Sequence, residues 1–228
     1  MKHVGIVGVS PEGAALCYKT ICAEASKRLG PNKYPEISLH QQSFDKILAA
    51  QNKRDWNTVA SLLLYSVKKV AAEGADFAVI PANSVHYAFK EVQAESPIPI
   101  LNIVDLSLDE CKENGYEKVA VIGTGLTMSD GLYEAPSKER GMEMLLPEKT
   151  DQGLLNDIIF KELVPGNWSQ KSVDEVVRII EKLKVKGCKA VILACTEIPL
   201  IINESNSPLP CIDTTRLLAK KAVELAIK

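Results

Sequence analysis

The 228-residue sequence lacks several features that would place it in a specialised class. No apolar run approaches the about 18 residues of a membrane helix, and the first apolar stretch breaks at Pro11 and Glu12, too early for a secretory signal. Its six cysteines form no CxxC pair and no Cys/His spacing typical of zinc. These absences favour a cytoplasmic protein without a membrane span, a disulfide framework or a metal site.

The chain also lacks an excess of positive charge. Its net charge is −2, its pI is near 6.0, and aromatic residues make up only 5% of it. The lysines are scattered, without the basic stripe and interleaved aromatics of a nucleic-acid surface. Nucleic acid is therefore not an expected partner. Nothing indicates an organic cofactor.

Short β-branched runs alternate with long amphipathic stretches along the whole chain. The runs predict strands at Val4–Val7, Ile37–His40, Phe77–Ile80, Ile100–Ile103, Val119–Ile122, Glu143–Leu146 and Ala190–Leu193. The stretches predict helices at Gly13–Leu29, Trp56–Glu73, Val85–Glu95, Leu106–Asn114, Met128–Arg140, Gly153–Leu163, Val173–Lys186 and Thr215–Ile227. Alternation of this kind predicts an α/β fold of mostly parallel sheets covered by helices.

An internal echo suggests two similar halves. HVGIVG at 3–8 resembles KVAVIG at 118–123, and an AVI segment follows each after roughly seventy residues, at 78–80 and 190–192. The prediction is a first domain over 1–97 and 211–228, closed by the last helix, and a second over 98–210. One larger sheet with accidental similarity is the alternative.

Four predicted strands end in small polar residues. Ligands of parallel sheets bind beyond the carboxyl ends of the strands. If the two halves face one another, all four turns line one cleft, which is the predicted active site: Gly8–Ser10, Ala82–Ser84, Gly123–Gly125 and Ala194–Thr196.

Cys195 is the most reactive-looking residue of these turns. It ends a strand, and Pro199 after it suits the first turn of a helix. Backbone amides at such a position lower the pKa of a thiol, whereas the nearby Glu197 carboxylate disfavours the thiolate. The local pattern leaves the balance between these two effects open.

The turns also carry donors suited to a substrate carboxylate. Removing a proton beside a carboxylate builds enolate-like charge, which needs a base near the carbon and donors around the oxygens. The candidate donors are Ser10, Asn83, Ser84, Gly123, Thr124, Thr127 and Thr196, with the backbone amides of 123–125. The alternative is that these residues only form tight turns and helix caps.

Four segments resemble the aspartate/glutamate racemase superfamily. Ala194-Cys195-Thr196-Glu197 is similar to its Gly-Cys-Thr-Glu motif, and Ala82-Asn83-Ser84-Val85-His86 to Cys-Asn-Thr-x-His without the cysteine. The segment 121–147 resembles its Gly-Thr-x-x-Thr-Met…Tyr stretch. The segment 211–226 resembles its Asp-Thr-Thr helix, with Leu218 where a histidine is often found.

This resemblance implies a homodimeric, cofactor-independent enzyme with two thiols on opposite faces of a substrate's α-carbon. Cys195 supplies one face, but Ala82 stands at the place of the other thiol. His86, Ser84 or a water molecule are the candidates for that second face. For His86 the alternative is a structural role, orienting the loop or bonding Glu197.

The resemblance also bears on the substrate. Aspartate-specific members grip the second carboxylate with basic side chains, and Lys46 lies near one such position. Val164 and Pro165 occupy the place of the companion lysine, and the nearby Lys53 and Arg54 are expected to be solvated. Aspartate, another amino acid and another dicarboxylate all remain candidates.

Three hypotheses follow. The first is an amino-acid racemase that uses Cys195 on one face of the α-carbon. The second is a decarboxylase that resembles arylmalonate decarboxylases, in which Cys195 protonates an enolate. The third is a carboxylate-binding protein that has lost catalysis. A decarboxylase needs an apolar pocket, whereas His86, Lys46 and Glu197 suggest a polar one, so the sequence favours the racemase.

Overall fold

The computed structural model describes residues 1–129 and 131–228, which form two compact units. The first unit comprises residues 1–103 and 215–228, and the second comprises 104–214. Each unit contains one four-stranded parallel sheet flanked by helices. The prediction of an α/β fold with parallel sheets is therefore confirmed.

The sheet of the first unit has the strand order β2-β1-β3-β4. Its strands are β1 (Val4–Gly8), β2 (Ile37–Gln41), β3 (Phe77–Val79) and β4 (Ile100–Leu101). Its helices are α1 (Pro11–Leu29), α2 (Phe44–Asn52), α3 (Trp56–Ala72), α4 (Phe89–Glu95) and the carboxyl-terminal α10 (Thr214–Ala226). A 3₁₀ turn at Ser84–Ala88 leads into α4.

The apolar runs become the two central strands because both of their faces are covered. Every residue of β1 and β3 is buried, and α3 packs its apolar side against them through Val59, Leu63, Val67 and Val70. β1 and β3 pair in parallel, with Val4 opposite Phe77. The turns that follow these two strands therefore leave the sheet at the same edge.

The second unit repeats the topology with the order β6-β5-β7-β8. Its strands are β5 (Lys118–Gly123), β6 (Glu143–Leu145), β7 (Ala190–Ala194) and β8 (Cys211–Asp213). Its helices are α5 (from Ile103 to Glu113), α6 (Gly125–Ser129), α7 (Glu134–Glu139), α8 (Lys149–Ile158) and α9 (Gln170–Val185). A π turn at Ile159–Leu163 extends α8, and a 3₁₀ turn at Ile198–Leu200 follows β7.

Two interactions fix the second unit around its central strands. β5 and β7 pair over five residues, ending with Gly123 opposite Ala194, so their carboxyl ends are adjacent. The buried carboxylate of Asp151 on α8 accepts from Arg178 at 3.2 Å and from Lys182 at 2.8 Å, both on α9. These two ion pairs join α8 to α9. Burial raises the pKa of Asp151, but the hydrogen bonds and positive charges of Lys182 and Arg178 outweigh burial, so the pKa is lowered.

Three predicted elements were wrong or missed. The helix predicted over Met128–Arg140 is divided into α6 and α7, because Gly131 adopts φ +75° between them; Asp130 of that prediction lies outside the described residues. Helix α2 was missed because only Ile47, Ala50 and Gln51 are buried in its nine residues. Strand β8 was missed because three residues give no periodicity.

The hydropathy of the helices shows whether any of them could span a membrane. Across residues 1–129 and 131–228, no helix combines the length and the apolar character needed to cross a membrane.

Candidate active site

Cys195 begins the turn after β7 and is almost completely buried. Its Sγ donates to Glu197 Oε2 at 3.0 Å. Burial raises the pKa of the Cys195 thiol well above its usual value, and the Glu197 charge raises it further. Hydrogen bonds from the backbone amides of Glu197 and Ile198 lower that pKa by less. The balance that the sequence left open therefore favours a thiol protonated at neutral pH.

The Glu197 carboxylate connects the residues of this turn. Its Oε2 also accepts from Thr196 Oγ1 at 2.7 Å, and both side chains are buried. Among the described residues no cation pairs with Glu197, so these hydrogen bonds offset the cost of burying its charge. Because the Thr196 hydroxyl proton is engaged by Glu197, Thr196 is a positioning residue here and not an open donor.

The turn after β5 lies next to Cys195 and carries hydroxyls and amides. Thr124 Oγ1 and Thr127 Oγ1 are 3.0 Å apart. Gly123 sits so close to β7 that a Cβ on it would lie 2.9 Å from Ala194 O. The Gly125 amide, predicted to be an open donor, instead donates to Asn156 Oδ1 at 2.9 Å. The turn is thus fixed from β7 on one side and from α8 on the other.

In the first unit, Gly8–Ser10 and Ala82–Ser84 follow the paired strands β1 and β3. The Ser10 side chain caps α1 by accepting from the Gly13 amide at 3.2 Å. A Cβ on Gly8 would lie 2.9 Å from Gln41 Cβ, so the close approach of β2 favours a glycine there. The structure places both predicted turns of this unit at one sheet edge.

Ser84 is held by a residue that the sequence analysis missed. Gln51 Nε2, on the buried side of α2, donates to Ser84 Oγ at 2.8 Å. This bond occupies an acceptor lone pair of Ser84 Oγ and does not use the hydroxyl proton. The neighbouring Asn83 is buried and hydrogen-bonded.

His86 has both ring nitrogens committed to the backbone. Nδ1 lies 2.8 Å from Ala82 O, and Ile103 N lies 3.4 Å from Nε2. This arrangement assigns the proton to Nδ1, which donates to the carbonyl, while Nε2 accepts from the amide. Burial lowers the pKa of His86 to about 4, although the bond to Ala82 acts in the opposite direction. These contacts favour the structural alternative for His86, and its hydrogen bonds go to Ala82 and Ile103 instead of Glu197.

The residues considered for a second carboxylate lie on the surface. Lys46 is exposed on α2, and Lys53 and Arg54 are exposed just beyond its end. Val164 is exposed as well, whereas Leu218, at the position of the family histidine, is fully buried in α10. These three basic side chains are therefore on the exposed surface of the first unit, on α2 and just after its end.

No group of three or more His, Cys, Asp or Glu side chains is arranged to hold a metal ion within 1–129 and 131–228. The six cysteines are all free thiols. The described strand ends present a thiol, a carboxylate, hydroxyls and amides.

Gln51 and Asn156, one in each unit, lie beside strand-end turns and were missed by sequence reasoning. Each is the eighth residue of the helix that follows an edge strand, α2 after β2 and α8 after β6. Each carboxamide bonds a residue of a strand-end turn, at 2.8 Å and 2.9 Å. When the two halves of the sequence are aligned by their strands and helices, these two positions coincide. That coincidence is the signal by which the sequence could have indicated both residues.

Fold and site together define a class: parallel α/β proteins that present a thiol, a carboxylate, hydroxyls and amides at strand carboxyl ends. The chain belongs to the Asp/Glu/Hydantoin racemase family, whose sequence profile matches residues 6–222. The family predicted from the four sequence segments is thereby confirmed.

Three relatives illustrate the similarity. The chain is 24% identical over 224 residues to the broad-specificity amino-acid racemase RacX of Bacillus subtilis, covering 96% of each chain. A candidate Asp/Glu racemase from Yersinia pestis is 32% identical, with a TM-score of 0.92 over 100% of both chains. An aspartate racemase homologue from Pyrococcus horikoshii is 31% identical, with a TM-score of 0.88 over 100% of both chains.

Proposed function

We propose that the protein is a cofactor-independent amino-acid racemase with one working thiol, Cys195. The observation that carries the proposal is the buried contact of 3.0 Å between Cys195 Sγ and Glu197 Oε2 at the end of β7. Family membership and the relatives named as amino-acid racemases support the reaction class. Aspartate and glutamate are the first substrates to test, because the family carries their names.

The proposed cycle moves one proton at a time. The Cys195 thiol passes its proton to Glu197, and the thiolate then removes the α-proton of the bound amino acid. The electrons of the broken C–H bond move onto the substrate carboxylate, where neighbouring hydroxyl and amide donors stabilise the enolate-like charge. The raised pKa of the thiol makes it a strong base once it is ionised.

A water molecule completes inversion from the other face. Water donates a proton to the α-carbon, the hydroxide that remains takes a proton from solvent, and Glu197 returns its proton to solvent, which restores the starting state. We assign this face to water because Ala82 has no ionisable group and both His86 nitrogens are hydrogen-bonded to backbone.

Chiral chromatography of L- and D-aspartate and L- and D-glutamate, with the unaltered chain and Cys195→Ser, tests the proposal. Racemisation by the unaltered chain and its loss in the variant support the assignment, because a serine hydroxyl is a far poorer acid and base near pH 7. Full activity in Cys195→Ser refutes the role of Cys195. Ala82→Cys is the matched gain-of-function variant and should accelerate inversion.

A thiol that is protonated at rest also suits the protonation of an enolate. This observation favours the single-thiol decarboxylase as the second candidate. Release of CO₂ from phenylmalonate, without racemisation of any amino acid tested, would favour it over the racemase.

A further inference from the structure

Asn156 lies on α8 with its carboxamide fixed at one end only. Its Oδ1 accepts from the Gly125 amide at 2.9 Å, which sets the orientation of the whole planar group. The Nδ2 group, on the opposite side of that amide, has no protein partner among the described residues, and the residue is half-buried. Two donor hydrogens are thus held in a constant direction.

The close approach of Asn156 to the turn after β5 constrains the sequence of that turn. A Cβ at position 125 would lie 3.2 Å from Asn156 Oδ1, so the tight contact favours a glycine. The same turn contains the paired hydroxyls of Thr124 and Thr127, and Gly123 in it is opposite Ala194, next to Cys195. The Asn156 carboxamide and the Cys195 thiol therefore lie at the same carboxyl end of the sheet of the second unit.

We propose that Asn156 binds the substrate directly, by donating from Nδ2 to a carboxylate oxygen while Oδ1 holds Gly125. The proposal rests on the proposed function, since it concerns the substrate of that site. A carboxamide fixed at its oxygen suits this task, because its donors are oriented before the ligand arrives and lose little freedom on binding.

The variant Asn156→Asp separates binding from structure. Aspartate keeps an oxygen that accepts from Gly125, so the turn is retained, but it replaces the donors with a negative charge that repels a carboxylate. We expect KM for aspartate to rise about tenfold or more, with an unchanged melting temperature. Asn156→Ala should raise KM and also lower the melting temperature, since it leaves the Gly125 amide unpaired.

Asn203→Asp is the matched control. Asn203 Oδ1 also accepts a backbone amide, from Ser205 at 2.9 Å, and lies on the exposed surface of the same unit. This variant adds the same charge and should leave KM unchanged. A KM within twofold of the unaltered value in Asn156→Asp would overturn the proposal, because the anchoring oxygen alone would then suffice.

Calorimetric titration with L-aspartate and with succinate, on chains carrying Cys195→Ser, keeps this test independent of turnover. Binding that weakens about tenfold in Asn156→Asp supports the role of Asn156 even if the unaltered chain proves not to racemise. Equal binding overturns it even if racemisation is found. Failure of the chain with native Asn156 to bind either carboxylate also overturns it.

Discussion

Acidification should destabilise the first unit through His86. Burial lowers the pKa of this histidine from 6.5 to about 4, so the unfolded chain binds a proton more readily than the folded one between these two values. Stability is therefore complete above pH 6.5 and is lost as the pH falls towards 4. The shift corresponds to a loss of about 2 kcal/mol in the free energy of unfolding between pH 7 and pH 5.

Urea unfolding of the Trp168→Phe background measures this loss. The chain has two tryptophans, and removing the one in the second unit leaves Trp56, which packs against Tyr87 with ring centroids 4.7 Å apart. The fluorescence of Trp56 then reports the unit that contains His86. Each free energy of unfolding is determined at pH 7, 6 and 5.

His86→Asn provides the comparison, because its amide can replace Nδ1 as the donor to Ala82 but cannot accept from Ile103. This variant should be less stable at pH 7 by about 1–3 kcal/mol, since the Ile103 amide loses its partner. Its loss between pH 7 and pH 5 should be smaller than that of the histidine form by about 2 kcal/mol. An equal pH dependence in both forms would refute the argument that His86 is buried and neutral.

Three further perturbations test the second unit. Glu197→Gln removes a negative charge that adds to burial in raising the pKa of Cys195. Alkylation of the thiol by iodoacetamide should therefore become fast at a lower pH than in the unaltered chain, and an unchanged pH profile of alkylation contradicts the contact. Asp151→Asn should cost about 1–2 kcal/mol of stability at pH 7, and this cost should shrink as the pH falls below the unfolded pKa and through the lowered folded pKa of Asp151; a cost that does not change on acidification contradicts it. Gly123→Ala should lower the melting temperature and the activity together, since its Cβ would meet Ala194 O at 2.9 Å, and a fully active, equally stable variant excludes that clash.

The sequence predicted the fold well where burial imposes a pattern. β1, β5 and β7 are each continuous or nearly continuous apolar runs, because parallel strands are covered on both faces. The failures lie where that pattern is absent. Helix α2 buries a polar residue, Gln51, and the stretch from α6 to α7 is interrupted by a glycine with positive φ.

For the candidate site, the sequence names residues but not the contacts that set their chemistry. Cys195 and Glu197 are two positions apart, but their effect on the thiol depends on a distance of 3.0 Å and on burial, which no local pattern reveals. The partners of His86 and Ser84 are more distant in sequence: Ile103 is 17 positions from His86, and Gln51 is 33 positions from Ser84. Hydrogen bonds across such separations require the fold.

The central claim is that Cys195 alone supplies an ionisable group to the reacting carbon. Proton NMR in deuterated water, combined with chiral analysis of the same aspartate and glutamate samples, tests it most directly. We predict that the α-proton exchanges faster than configuration inverts, that exchange stops in Cys195→Ser, and that Ala82→Cys brings the two rates together. Equal rates of exchange and inversion in the unaltered chain, or exchange that persists without Cys195, would contradict the claim.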